Sequence, residues 1–157
     1  RQQLSDLSQD VHRISRQLHP SILEDLGLND AIRSECERRG SQSQIAVDFC
    51  CGELPACVPK DVALCVYRIT QEALSNGVKH GGADHLEVSL NADVEFLNLQ
   101  IRDNGRGFDP ALARSNAGIG LASMTERVRL IGGEIAICSH PGGGTTIEVR
   151  IPLPEEL

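Results

Sequence analysis

Residues 97–109 read LNLQIRDNGRGFD, a strand pattern that runs directly into a glycine-rich loop. Leu97, Leu99 and Ile101 alternate with polar residues, as in a strand that turns one face to a core. Asp103 continues the same inward phase. Because an unpaired carboxylate is costly to bury, this side chain needs a hydrogen-bond donor. The alternative is a strand that ends at Ile101, so that Asp103 opens a solvated Asp-Asn-Gly turn.

Hydrophobic periodicity predicts further elements on both sides of that stretch. Strands are expected around residues 45–49, 86–90, 135–137 and 145–151, with a hairpin turn at 91–93; helices are expected at 30–39, capped by Asn29 and closed by Gly40, at 60–80, and from about Leu121 to the Gly132-Gly133 pair. Helix 60–80 carries a broad apolar face and should be central. This order predicts an α+β fold, a two-layer sandwich of a mixed β-sheet with helices on one face.

The N-terminal segment predicts a coiled-coil-like helix ahead of the sandwich. Apolar residues recur there at alternating steps of three and four, at Leu4, Leu7, Val11, Ile14 and Leu18. Pro20 should break or kink this helix, and a domain boundary is expected between Pro20 and Asn29. A start inside a periodic helix suggests a piece of a longer protein.

Composition limits the classes of function. The chain has 157 residues, a net charge of −7, 3% aromatic residues and no Trp. We therefore expect one globular domain with a short appendage, and no nucleic-acid partner, because few side chains can stack on bases. Phosphate must be held locally, mostly by backbone groups. No apolar run is long enough to span a bilayer, so a membrane would be reached only through absent upstream segments. The six cysteines are expected to be free, mostly buried thiols of the cytosol.

Two further features suggest a phosphate-binding site. Residues 118–121 read GIGL and open into a helix, whose free N–H groups favour phosphate. On helix 60–80, Glu72, Asn76 and Lys79 share one stripe and suit a hydrated Mg²⁺ with the phosphates that it bridges. Neither glycine run is a Walker loop, and each is weak evidence alone. The alternative for the stripe is an ordinary exposed polar face.

Thr145 is the last candidate, because it shares the inward phase of Ile147 and Val149. A single inward threonine is more often a satisfied core residue than a ligand. Taken together, an inward Asp103, an inward Thr145, two glycine loops and the polar stripe predict a nucleotide pocket.

The same segments resemble the motifs of histidine kinases. Residues 71–80, QEALSNGVKH, resemble the asparagine box; residues 103–108, DNGRGF, the first glycine box; residues 118–121 the second; and Gly144-Thr145 the closing pair. They occur in the family order over residues 45 to 151. The superfamily includes gyrase, mismatch-repair and chaperone ATPases, and the resemblance implies its Bergerat ATP-binding fold with ATP and Mg²⁺ as ligands.

The resemblance also implies roles for the candidate residues. Asp103 would accept a hydrogen bond from the adenine amino group, supported by Thr145. Asn76 would coordinate Mg²⁺, and Glu72 would hold a metal-bound water or assist proton transfer. The family also implies the remaining nucleotide contacts. Lys79 and His80 would contact phosphates or ribose, and Gly105 and Gly107 would let the backbone pass close to the nucleotide. Gly118, Gly120 and Leu121 would lie at a lid and at the phosphates.

Within histidine kinases, residues 18–28 (LHPSILEDLGL) and 126–128 (ERV) resemble the branch whose response regulators carry a helix-turn-helix domain. That branch has an acidic residue after its phosphoacceptor histidine, whereas Pro20 follows His19. Residues 1–27 therefore resemble the end of the second helix of the dimerisation hairpin, and 28–157 the catalytic domain. The implied protein is a cytoplasmic histidine kinase, homodimeric at full length, that passes phosphate to a response regulator receiver domain from a histidine outside this chain. The alternatives are an ATP-sensing module without kinase activity and an anti-sigma-factor-like serine kinase.

Overall fold

In the computed structural model, the chain folds into a five-stranded mixed sheet with helices packed against it. The structure describes residues 20–115 and 118–154. The elements are α1 (Ser21–Ser43), β1 (Ala46–Cys51), α2 (Lys60–Lys79), β2 (His85–Ala92), β3 (Phe96–Asp103), α3 (Pro110–Ser115), α4 (Ile119–Leu130), β4 (Glu134–Ser139) and β5 (Thr145–Pro152).

The sheet has the strand order β1-β2-β3-β5-β4, in which β1 and β2 are parallel and the other pairs antiparallel. One face is apolar and lies under α1, α2 and α4, with Leu99 and Ile147 buried on it. The opposite face is polar, and Gln100 donates a hydrogen bond to Glu148 across it at 2.8 Å. The two-layer α+β sandwich predicted from the sequence is confirmed.

Helix α2 occupies the centre of the helical layer. Its side chains at Val66, Ile69 and Leu74 are completely buried. Gly77 lets the helix approach the sheet, because a Cβ atom there would come within 2.8 Å of the Leu86 side chain. The C-terminal end of α2 is therefore held close to the ends of β2 and β3.

Helix α1 differs from its prediction at both ends. Gly27, with φ of 76°, interrupts it in the interval expected to hold the domain boundary. The Asn29 Oδ1 atom is buried with no hydrogen-bond partner in the described part of the chain, so it does not cap the helix. Closure at Gly40 is also wrong, since the helix continues to Ser43 and Gln44 ends it with a φ of 53°. Gly40 has a packing role instead, because a Cβ there would lie 3.2 Å from the Ile45 carbonyl oxygen.

Two further boundaries move by two residues. The hairpin turn lies at 93–95, because the Asp93 carboxylate accepts hydrogen bonds from the N–H groups of Glu95 and Phe96 at 2.9 and 2.8 Å. Helix α4 begins at Ile119, so that the second glycine run forms its first turn. Its predicted end is confirmed: Gly132 and Gly133 donate to carbonyls of the last turn and close the helix as a Schellman motif.

The cysteines are less buried than predicted. All six are free, but only Cys36 and Cys65 are buried, whereas Cys50, Cys57 and Cys138 are exposed. Burial raises the pKa of the Cys36 thiol to about 12 and that of Cys65 to about 11, so both stay protonated at neutral pH.

The predicted Leu4–Leu18 seam and His19 lie outside the described residues. Within 20–115 and 118–154, no helix combines the length and apolar character that a membrane crossing requires.

Candidate functional site

The candidate site lies where the end of α2, the end of β3 and the start of β5 meet. Strand register places Asp103 between Leu86 on β2 and Thr145 on β5. Asp103 is half-buried and keeps the inward phase of its strand. A Cβ atom built on Gly77 would lie 3.6 Å from Asp103 Oδ2, so the absence of a side chain on α2 leaves room beside this carboxylate.

The two carboxylate oxygens of Asp103 differ in their partners. Oδ1 accepts a hydrogen bond from the N–H of Gly105 at 2.8 Å. Asp103 therefore forms the Asp-Asn-Gly turn and also points inward, which combines the two alternatives considered from the sequence. No described residue donates a hydrogen bond to Oδ2. This oxygen is a half-buried acceptor available to a ligand.

The first glycine loop is pressed against the chain that follows α2. Arg106 donates its backbone N–H to the Gly81 carbonyl at 2.8 Å, and a Cβ on Gly105 would lie 2.6 Å from the same oxygen. Gly107 has a φ of 62°, and a Cβ there would overlap the carbonyl oxygen of His140. Both glycines permit close backbone approach, as predicted, but the nearest backbone belongs to this chain.

A hydroxyl pair lies beside Asp103. Ser139 Oγ donates to the Gly144 carbonyl at 2.8 Å, accepts from the Phe108 N–H at 2.9 Å and lies 2.9 Å from Thr145 Oγ1. Ser139 was not singled out from the sequence, although it shares the inward phase of Ile135 and Ile137 on β4. The same argument that selected Thr145 could have found it.

Ser139→Ala is expected to destabilise the fold by about 1–2 kcal/mol, because it leaves the Phe108 N–H and the Gly144 carbonyl without this partner. Urea unfolding followed by circular dichroism measures the change. Ser89→Ala, on the polar face of β2, is the control and should change stability by less than about 0.5 kcal/mol. Equal effects of the two substitutions would show that the Ser139 bonds contribute nothing particular.

The polar stripe of α2 meets the second glycine run. Glu72 and Asn76 are half-buried and one turn apart. A Cβ on Gly120 would overlap Glu72 Oε1 and lie 3.4 Å from Asn76 Nδ2, so a larger residue here would require the Glu72 side chain to move. Across the described ranges, the Glu72 carboxylate has no ion pair within 4 Å and no hydrogen bond. Glu72 and Asn76 thus keep their oxygens available to a ligand.

The remaining predicted residues lie around this centre. Lys79 and His80 are exposed at the end of α2, and the His80 carbonyl accepts a hydrogen bond from Arg106 Nε at 2.6 Å. Gly118 is exposed and precedes the first turn of α4. Leu121 is half-buried and packs against the core, so its side chain supports the helix.

A metal ion at this site would need ligands besides protein carboxylates. No group of three or more His, Cys, Asp or Glu side chains that could hold a metal occurs among the described residues. Glu72 and Asn76 supply one carboxylate and one amide oxygen, which fit Mg²⁺ when phosphates and waters complete the shell.

Comparisons with known proteins identify the family of this chain. Residues 61–155 match the model of the family described as histidine kinase-, DNA gyrase B- and HSP90-like ATPase. The chain is 33% identical over 147 residues to the signal transduction histidine-protein kinase/phosphatase DegS of Brevibacillus brevis, covering 94% of the chain and 38% of DegS. It is 32% identical over 152 residues to the oxygen sensor histidine kinase NreB of Staphylococcus carnosus, covering 97% of the chain and 44% of NreB. The chain therefore spans less than half the length of these relatives.

Solved structures share the fold. The histidine kinase domain of the Erythrobacter litoralis EL346 blue-light activated histidine kinase aligns with a TM-score of 0.66 at 24% identity, over 80% of this chain and 61% of that one. The ATP binding domain of PrrB from Mycobacterium tuberculosis aligns with a TM-score of 0.63 at 23% identity, over 80% and 93% of the two chains.

Proposed function

The chain belongs to the histidine kinase-, DNA gyrase B- and HSP90-like ATPase family, as a histidine kinase ATP-binding domain, and we propose that it transfers the γ-phosphate of ATP to a histidine side chain. The acceptor histidine is carried by a dimerisation helix, and a response regulator receiver domain then takes the phosphate. The full-length protein acts as a homodimer in the cytoplasm, as a soluble kinase or as the cytosolic part of a membrane-anchored sensor.

Asp103 is the observation that carries the proposal. Its Oδ2 atom is a half-buried acceptor with space beside it, and Oδ1 is held by the Gly105 N–H at 2.8 Å. An exocyclic amino group such as that of adenine donates the hydrogen bond that this oxygen needs. Thr145 and Ser139 place hydroxyls next to it and support the same ring directly or through water.

The phosphate end lies along α2. Mg²⁺, when bound, would neutralise charge on the phosphate oxygens. Asn76 would contribute its amide oxygen to the metal, and Glu72 would hold a metal-bound water or take the proton from the attacking imidazole. The exposed Lys79 and His80 would contact phosphate or ribose.

The glycine runs complete the proposed pocket. Gly105 and Gly107 have no side chains, so that the nucleotide would lie directly against the backbone of the loop after β3. Gly118 and Gly120 present the first N–H groups of α4 towards the phosphates, where the positive end of the helix dipole favours an anion, and Leu121 anchors that turn to the core.

In the transfer, an imidazole nitrogen attacks the γ-phosphorus, the N–P bond forms, and the P–O bond to ADP breaks. Residues 28–157 supply the ATP site. Residues 1–27 supply the end of the second helix of the dimerisation hairpin. Because Pro20 follows His19, we place the acceptor on another helix of the full-length protein.

Mixing the chain with a separate hairpin peptide that carries a histidine followed by an acidic residue tests this proposal. Incubation with γ-labelled ATP and Mg²⁺ should give acid-labile, alkali-stable phosphate on the hairpin. A hairpin with His→Ala should stay unlabelled. Bound ATP without transfer would instead identify an ATP-sensing module, and label on His19 of the chain alone would overturn the placement of the acceptor.

A further inference from the structure

A basic cleft lies where α1, α2 and α4 meet. It has a volume of about 440 Å³, and its lining includes Arg39, Arg68, Glu72, Ser75, Ser123 and Arg127. We call these residues the arginine cleft. Arg68 precedes the proposed metal ligand Asn76 by eight residues, about 12 Å along the helix, whereas Ser75 at the other end of the cleft is adjacent to Asn76 in the sequence.

Two guanidinium nitrogens in the cleft have no partner. Arg39 Nε and Arg68 Nη2 are buried and make no hydrogen bond within the described part of the chain. Other nitrogens of the same two guanidinium groups do have contacts. Arg68 Nη1 donates a hydrogen bond to Gln71 at 3.0 Å, and Arg39 Nη2 lies 3.9 Å from a Glu35 carboxylate oxygen. A buried charged donor without an acceptor is costly, so the cleft is short of acceptor atoms.

Glu35 does not supply the missing hydrogen-bond acceptor. Its carboxylate already accepts two hydrogen bonds from Arg38, at 2.5 and 3.2 Å, and one from the Tyr67 hydroxyl at 3.5 Å. The nearest acid to Arg39 therefore has its oxygens directed elsewhere, and the Arg39 Nε–H stays unpaired.

The charges in the cleft favour an anion. Three arginines and one glutamate leave a local charge of +2, in a chain whose net charge is −7. Burial, and secondarily the positive charge of Arg127, lower the pKa of Arg68. Because arginine stays protonated at neutral pH, a negative group in the cleft would be favoured by both guanidinium charges.

We propose that the arginine cleft binds a phosphate-type oxyanion, either as free phosphate or as the phosphoryl group of a larger ligand. A dianion matches the local charge of +2, and guanidinium N–H groups are well suited to bind its oxygens. Ser75 and Ser123 supply hydroxyl donors on the two walls. This site adjoins the nucleotide pocket and shares Glu72 with it, but anion binding here does not depend on the proposed kinase activity.

The test follows the side-chain Nε–Hε signals of arginine by NMR while inorganic phosphate is added at constant ionic strength. We expect saturable shifts at Arg39 and Arg68, and at least about tenfold weaker binding of acetate, which carries a single charge. Arg68→Gln and Arg127→Gln should each weaken phosphate binding about tenfold or more. Because these residues are on different helices, one variant remains informative if the other fails to fold.

Arg129→Gln is the matched control. Arg129 lies on the same helix as Arg127, but its guanidinium is exposed and paired with Glu126 at 2.7 and 2.9 Å. This variant should bind phosphate as the unmodified chain does. Equal losses in Arg127→Gln and Arg129→Gln would mean diffuse attraction of anions and would overturn the proposal, as would equal affinity for acetate.

Titration of ATP and Mg²⁺ on the same samples separates the two sites. Competition between ATP and phosphate would place the anion in the nucleotide pocket and overturn the proposal. Saturable, Arg68-dependent phosphate binding in a chain that fails to bind ATP would leave this inference standing while the proposed function fell. The same phosphate shifts with and without ATP are the expected result.

Discussion

Asp103→Asn is expected to weaken ATP binding about 10- to 100-fold while the fold persists. The asparagine can still accept the Gly105 N–H through its oxygen, which preserves the turn observed at 2.8 Å. Its NH₂ group then occupies the position of Oδ2 and faces the adenine amino group, so that two donors oppose each other. A lost hydrogen bond to a charged acceptor corresponds to about 1.5–3 kcal/mol, which gives the expected range.

Isothermal titration with ATP and Mg²⁺ measures this effect. Asp48→Asn is a matched control, because it makes the same chemical change at an exposed carboxylate on β1 whose partner is His85 at 2.8 Å. It should bind ATP as the unmodified chain does. Undiminished affinity in Asp103→Asn would exclude Asp103 as the adenine acceptor. A similar loss of affinity in both variants would show that the effect comes from the change in net charge.

The inward position of Asp103 could be predicted because strand periodicity is local. Alternation from Leu97 fixes the phase of Asp103 within one strand, and the same rule fixes Thr145. The rule did not tell which inward polar residues share a site, since that depends on the register of β3 against β5. Ser139 was missed for this reason, although its phase on β4 was already evident.

The sequence predicted close backbone approach at Gly105 and Gly107, but it did not predict which group each glycine approaches. Gly105 and Gly107 were expected to admit a ligand, whereas their missing side chains admit the backbone at Gly81 and His140. Gly40 was expected to end a helix, yet it serves the packing of α1 on β1. A sequence shows where backbone must approach something closely, and only the fold shows what it approaches.

The arginine cleft could not be predicted from the sequence. Arg39, Arg68 and Arg127 come from three helices and lie more than twenty residues apart along the chain. In the sequence, each is a charged residue of the kind that usually lies on the surface of a helix. Only the packing of α1, α2 and α4 brings them together and buries two of their nitrogens, which have no hydrogen-bond partner within residues 20–115 and 118–154.

Asn76→Ala is expected to abolish the strengthening of ATP binding by Mg²⁺ and to slow phosphate transfer to the hairpin at least about 100-fold. The amide oxygen is the proposed neutral ligand of the metal, and alanine offers no donor atom in its place. The fold should be unaffected, because alanine is a strong helix former and no described residue bonds to the Asn76 side chain. Nucleotide titrations with Mg²⁺ and with EDTA, run beside the transfer assay, measure both effects.

Asn91→Ala controls for the loss of an amide, since Asn91 is exposed on β2 and, among the described residues, its side-chain oxygen accepts one long hydrogen bond, from Asn98 at 3.4 Å. It should retain Mg²⁺ dependence and transfer. Persistent Mg²⁺ dependence in Asn76→Ala would move the metal to other ligands, with Glu72 the next candidate. Loss of transfer with Mg²⁺ dependence intact would instead show that Asn76 positions the γ-phosphate through the first turn of α4, where a Cβ on Gly120 would lie 3.4 Å from Asn76 Nδ2. The two readouts therefore distinguish a metal ligand from a residue that positions the first turn of α4. Affinity for ATP alone does not make this distinction.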